Sequence, residues 1–323
     1  MVKPRKKPRA QRIEASAATA GERSRAGVKA HTAPQTISGR WLLKAFALTI
    51  AGAALCCWAT LCLLFWQGSW QLLYHPAATV RRTPASAGMK FDPVAFAASE
   101  LGRTRLAGWW IAAGPGAKFQ RFTVLYLYGR NGNLGDAVES LANLHSAGVN
   151  VLAFDHRGYG ESQFVRPSEE QRLQDGEWAL SYLTGTRHIS AGCIVLAGEG
   201  LGANLALELA AAHPELAGVV VQDPLADATS VIFNDARAKF VPARLLVRDR
   251  YNLDAAAVKL RIPSLWLLQM ISPPNLDMAK EDSAFQEVGV RKARVWLQAG
   301  PAEPRQETDA FSSWLDDLGR PAH

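Results

Sequence analysis

The stretch CIVLAGEGLGANLALELAAA, residues 193–212, changes its hydrophobic period in the middle. Its first five residues are continuously apolar, as in a strand buried on both faces. Gly198, Gly200 and Gly202 then mark a tight turn, and the remainder has the length and leucine/alanine content of a buried helix. The same alternation extends outward on both sides. Apolar runs at 121–128, 150–155, 193–197, 218–222, 264–269 and 293–298 predict strands, and amphipathic segments at 136–147, 168–183, 202–213, 277–288 and 308–318 predict helices. Two earlier runs, 93–98 and 105–111, predict an antiparallel hairpin at the sheet edge. Strands separated by helices of this length imply a mostly parallel central sheet with helices on both faces.

Two further turns carry recognisable residues. Tyr128-Gly129-Arg130-Asn131-Gly132-Asn133 follows the first long strand, and Asp155-His156-Arg157-Gly158-Tyr159-Gly160-Glu161-Ser162 follows the next. Pro167-Ser168-Glu169 then opens a helix, with Ser168 placed as its N-cap. Together with the entry Leu72-Leu73-Tyr74-His75-Pro76 and Gly108-Trp109-Trp110, these motifs resemble the α/β-hydrolase superfamily, from about residue 72 to 318. The narrower resemblance is to its single-anchor, short-lid esterase/serine-aminopeptidase-like branch. That resemblance implies the α/β-hydrolase fold. In the loop 155–162, Asp155 and Arg157 are expected to pair and brace the turn.

The turn at 198–202 stands where the superfamily carries its nucleophile elbow, G-x-S-x-G, with a serine on a strained strand-to-helix turn. Gly198 and Gly202 fit, but Gly200 occupies the nucleophile position and has no attacking atom. By the same resemblance the acid position falls at Ser272, with Asp277 as the nearest carboxylate, and the histidine position falls at Pro301. His323 is the sole later histidine. A serine hydroxyl attacks only with a base in hydrogen-bond reach, so three departures predict that conventional acyl transfer is lost. The expected pocket is formed by Tyr128, Gly129, Arg130, Glu199 and Leu201, with backbone N–H groups near Leu201 and Arg130 forming an oxyanion-type anion site. Tyr128 and Arg130 replace the superfamily's histidine and asparagine in this loop. The expected function is therefore a pseudo-hydrolase that binds a small or lipid-like ligand or acts as a scaffold. The competing expectation is an active hydrolase of ester or amide bonds in which Glu199 serves as general base on water.

The N-terminal region has a different chemistry. Residues 1–40 are rich in Arg, Lys, Ala, Ser, Thr and Pro, and are expected to be a disordered basic tail. Residues 45–66 then hold no charge, and as a helix would extend about 33 Å, enough to cross a bilayer. Tryptophans at 41, 66 and 70 fit interfacial positions. The division expected is tail 1–40, anchor 41–68 and hydrolase-like domain 70–323. Residues 1–44 carry 11 Lys/Arg against Glu14 and Glu22, so of the chain's net +7 the tail contributes +9 and the rest −2. The basic isoelectric point thus belongs to the tail. It predicts a cytoplasmic N-terminus and a domain across the membrane, as in the periplasm beyond a bacterial inner membrane, and gives no reason to expect nucleic acid. The four cysteines suggest neither a disulfide framework nor a metal site, Cys193 reads as part of a buried strand, and no cofactor is expected. The expected partners are the lipid bilayer and a small or lipid-like ligand; no protein partner is indicated.

Overall fold

The computed structural model describes residues 38–97, 106–270 and 276–319. Eight strands form one sheet: β1 (Asp92–Phe96), β2 (Leu106–Ile111), β3 (Thr123–Leu127), β4 (Asn150–Phe154), β5 (Ile194–Glu199), β6 (Gly218–Gln222), β7 (Ser264–Gln269) and β8 (Lys292–Leu297). Their spatial order is β8-β7-β6-β5-β3-β4-β2-β1. All neighbours are parallel except β1 with β2 and β2 with β4. The edge hairpin expected at 93–98 and 105–111 is present in its described part; residues 98–105 lie outside the described residues.

Because side chains alternate across a strand, each interior strand feeds two cores. Val124, Tyr126, Val195 and Ala197 join Leu141, Phe311 and Trp314 on one face. Leu125, Leu127, Ile194 and Leu196 join Leu180, Leu205, Leu209 and Ala257 on the other. The first face is covered by α2 (Val138–Ser146) and α7 (Glu303–Leu318). The second is covered by α3 (Glu169–Ser181), α4 (Leu201–Ala212), α5 (Leu253–Lys259) and α6 (Leu276–Glu287). The α/β-hydrolase fold is this arrangement.

An N-terminal helix, α1 (Gly39–Gly68), has a window of mean hydropathy 2.1 that is 6% buried, so it is long and apolar enough to cross a membrane. The chain then runs through a short pairing of His75–Pro76 with Asn131–Gly132, parallel to the loop after β3.

Several expectations need correction. Cys193 lies in a 3-10 turn and is only half-buried; β5 starts one residue later. The C-terminal helix begins at Glu303 rather than at 308, with Pro304 in its first turn, where a missing N–H costs nothing. The first long strand is confined to Thr123–Leu127, and α3 gives way to a π-turn over Tyr182–Thr186.

Candidate functional site

The loops at the C-terminal ends of β3, β5 and β6 form the site. At the turn from β5 to α4, Gly200 adopts φ 56° and ψ −123°, a backbone region that side-chain-bearing residues enter only at a cost. A Cβ built on Gly200 would meet nothing within 4 Å. The flanking glycines differ. A Cβ on Gly198 would lie 2.2 Å from Gly202 O, and one on Gly202 would lie 2.0 Å from Leu127 O. The outer two are glycine because backbone occupies the side-chain space; the middle one faces open space. The elbow's shape is therefore intact, and only the attacking atom is missing.

All five pocket candidates lie around one cleft of about 350 Å³ together with Gly200, the volume of a small-ligand site. They contribute unequally. Tyr128 is buried and its hydroxyl donates to Asp155 Oδ1 at 3.0 Å, so its polar atom is committed away from a ligand. Leu201 is also buried and adds wall. Gly129 lets the chain pass close to Glu199, its built Cβ lying 3.5 Å from Glu199 O. Arg130 is half-exposed, and its carbonyl accepts from His75 N and the Tyr159 hydroxyl. The Glu199 carboxylate accepts from Tyr126 at 2.9 Å and Ser140 at 3.2 Å, which turns it toward α2.

Beyond Glu199 the same sheet end gathers further carboxylates. Glu307 of α7 accepts from Gln222 Nε2 at 2.6 Å and Asn143 Nδ2 at 3.1 Å, and Gln269 donates to Glu303 at 2.8 Å. Asp223 follows β6 and accepts from Gln269 N at 2.7 Å. Burial, reinforced by the negative charges of Glu199, Glu303 and Glu307, pushes Asp223 up to about 6. Burial likewise raises Glu307. Between α2, α7 and the sheet, Glu307, Gln222 and Asn143 border a crevice of about 20 Å³, room for a water molecule rather than a ligand.

No described histidine lines either space. His75 meets Asn131, His145 meets Ala112 O, and His213 meets Glu177 and Glu215. His156 is fully buried 3.5 Å from Asp175, yet burial and the nearby Arg172 charge lower it to about 4. It is neutral at pH 7, so that approach is not an ion pair. Pro301 is exposed in the turn before α7, and Asp277 falls in the first turn of α6. Ser272 and His323 lie outside the described residues. Among the described residues, none form a cluster of His, Cys, Asp or Glu suited to a metal.

The loop 155–162 is braced, but not by the expected pair. Asp155 accepts from Leu134 N at 2.7 Å, Glu161 N at 3.2 Å and the Tyr128 hydroxyl. Arg157 instead pairs with Asp175 of α3, at 2.6 Å from Nε and 2.9 Å from its backbone N. A fully buried Arg172, unremarked in the sequence, donates to Tyr128 O at 2.9 Å and Gly129 O at 3.0 Å, fixing the cleft loop from beneath. Its signal was present: Arg172, Asp175, Gly176 and Ala179 share the inward stripe of α3.

Comparison with known proteins agrees with this architecture. The family described as "Serine aminopeptidase, S33" matches residues 120–267. The uncharacterized protein Rv2307c of Mycobacterium tuberculosis is 30% identical over 203 residues, which cover 58% of this chain and 64% of that protein. The chain thus spans under two thirds of that relative's length. The uncharacterized protein YfhR of Salmonella typhimurium is 28% identical over 248 residues, covering 74% of this chain and 81% of that one. Among solved structures, the Pyrococcus furiosus esterase Pf2001 aligns with a TM-score of 0.58 at 16% identity, over 76% of this chain and 98% of that one. An α/β hydrolase from Vibrio vulnificus aligns at 0.55 and 19% identity, over 72% and 82%. At these identities the structural likeness speaks for the fold alone. The sheet order, the flanking helices and the elbow turn, together with these likenesses, make the chain an α/β-hydrolase-fold protein, similar over residues 120–267 to the serine aminopeptidases, with glycine at the tip of its elbow.

Proposed function

We propose that the chain is a membrane-tethered pseudo-hydrolase, which holds a small or lipid-like ligand in the cleft over its elbow without cleaving it. The observation that carries this reading is Gly200: elbow backbone, open space above it, and neither an attacking atom nor a described histidine alongside. The ligand's charge follows from the lining. Glu199 and Asp136 outnumber Arg130 among the charged residues of the cleft, with Asp223 and Glu307 further along the same sheet end, so a neutral or cationic amphiphile fits better than a free carboxylate or phosphate. The basic tail supports a cytoplasmic N-terminus and a domain on the far side of the membrane, in the periplasm if the membrane is a bacterial inner one.

The test uses the purified full chain in nanodiscs. Short-chain esters should not turn over, and a fluorophosphonate should not label it. Gly200→Ser should keep the fold, lose about 1–3 kcal/mol to the strained backbone, and gain no turnover, because no base stands by the new hydroxyl. One observation favours a second reading: Asp223 titrates near neutrality beside Glu199, as a general acid or base requires. Wild-type ester turnover that Glu199→Gln or Asp223→Asn abolishes would establish carboxylate-driven hydrolysis and sink the pseudo-hydrolase.

A further inference from the structure

The last turns of α1 touch the globular part at two places. The Trp58 indole donates to Phe240 O at 3.0 Å. Arg166 Nη2 donates to Trp66 O at 2.7 Å, with its guanidinium 5.7 Å from the Trp66 ring. Beside the second contact lies a cleft of about 400 Å³, bordered by Trp66, Trp70, Arg166, Ile232, Leu246 and Arg248. Trp58 stands about two turns before Trp66, where the apolar stretch gives way to Gln67-Gly68-Ser69, about 12 Å along the helix axis. A crossing needs about 20 apolar residues, so Trp58 lies within the apolar layer, and Phe240, bonded to it, lies at similar depth.

The segment 227–250, between β6 and α5, has the side chains for that position. Phe240 is 69% exposed and Leu245 84%, and Phe164 of the neighbouring loop is 84% exposed. Around them Arg237, Lys239, Arg244 and Arg248 are also exposed. Large apolar side chains left to solvent within a rim of cations compose an interfacial surface, in which hydrocarbon takes the apolar groups and lipid phosphates take the charges.

We infer that the segment 227–250, with Phe164 and Arg166, is a bilayer-docking surface: Phe164, Phe240 and Leu245 insert into the leaflet where α1 ends, and the basic residues meet its headgroups. The inference rests on the reading of α1 as a membrane anchor. The segment 227–250 carries five Lys/Arg against Asp227, Asp235 and Asp249, with Arg237 paired to Asp235, so it is net +2 and suits a leaflet containing anionic lipid.

The experiment is site-directed spin labelling of the full chain in phosphatidylcholine/phosphatidylglycerol vesicles, with the native cysteines replaced by alanine. Labels enter through Phe164→Cys, Phe240→Cys, Leu245→Cys, Leu61→Cys in the anchor and Lys90→Cys as an exposed control. The ratio of oxygen to water-soluble nickel-complex accessibility should be several-fold higher at 61, 164, 240 and 245 than at 90. If 61 reads as lipid while 164, 240 and 245 read like 90, the docking surface is refuted and the anchor stands. If 61 also reads as aqueous, both fail. Spin–spin broadening at 240 without oxygen preference would assign the surface to a second copy and overturn the inference. Wild-type protein supplies an independent readout: lipid bearing an acyl-chain diazirine should photolabel 161–167 and 231–248, and adducts confined to α1 would refute the surface.

Discussion

Two regions on opposite sides of the elbow handle buried charge in opposite ways. Beneath the cleft loop, Asp175 meets Arg157 and lies beside a neutral His156, Asp155 collects two backbone N–H groups and a hydroxyl, and Arg172 is spent on carbonyls. Beyond the elbow, Glu199, Asp223 and Glu307 share amide and hydroxyl donors, with no cation among those hydrogen bonds. A carboxylate paired in the interior is a brace, since removing its partner strands a charge. A carboxylate held among like charges carries an electrostatic cost that packing alone does not require.

The largest expected effect is on the brace. Asp175→Ala leaves Arg157 without its main acceptor and should cost about 3–5 kcal/mol in urea unfolding; a loss below about 1 kcal/mol would end its description as a brace. The opposite sign is expected across the elbow. Asp223 titrates near 6 in the folded chain against 3.8 in the reference state, so its ionisation opposes folding. That penalty is absent below pH 3.8, grows between 3.8 and 6, and is complete above. Asp223→Asn, which keeps an acceptor for Gln269 N and tolerates the residue's φ of 43°, should therefore stabilise by up to about 3 kcal/mol at pH 7 and by nothing at pH 3.5. Stabilisation that does not vary with pH would contradict the charge argument. The smallest effect belongs to the surface. His213 loses some basicity to burial, but the hydrogen bonds it donates to Glu177 and Glu215 outweigh that loss and raise its pKa. The gain is present below 6.5 and lost as pH rises through the folded value. Being partly exposed, His213→Gln should cost under about 1 kcal/mol at pH 5.5 and close to nothing at pH 8.5.

The sheet was legible because its strands are continuous apolar runs: 218–222 and 264–269 coincide with β6 and β7. The elbow was legible because Gly198 and Gly202 answer a steric demand that the spacing itself encodes. What escaped was either short or distant. The pieces Ser230–Phe233, Ala243–Leu246 and Leu253–Lys259 are too brief to show a period. Arg157 takes Asp175, eighteen residues on, because the nearer Asp155 is already filled by backbone donors. Glu307 joins Glu199 only through folding, although its place on the stripe with Phe311, Trp314 and Leu315 marked it as inward-facing.

The pairing that follows α1 has a mechanical side. His75 N bonds Arg130 O, Ala77 N bonds Gly132 O, Gly160 N bonds Ala77 O, and Asn133 holds the carbonyls of Ala77 and Thr79. A pull delivered along the chain at residue 74 loads these few bonds in shear, and they end on the loop beside Gly200. Tension therefore divides between the buried Tyr74, whose hydroxyl bonds Asp249 and Tyr251, and the rim of the cleft, which lies one set of bonds away from the pulled chain.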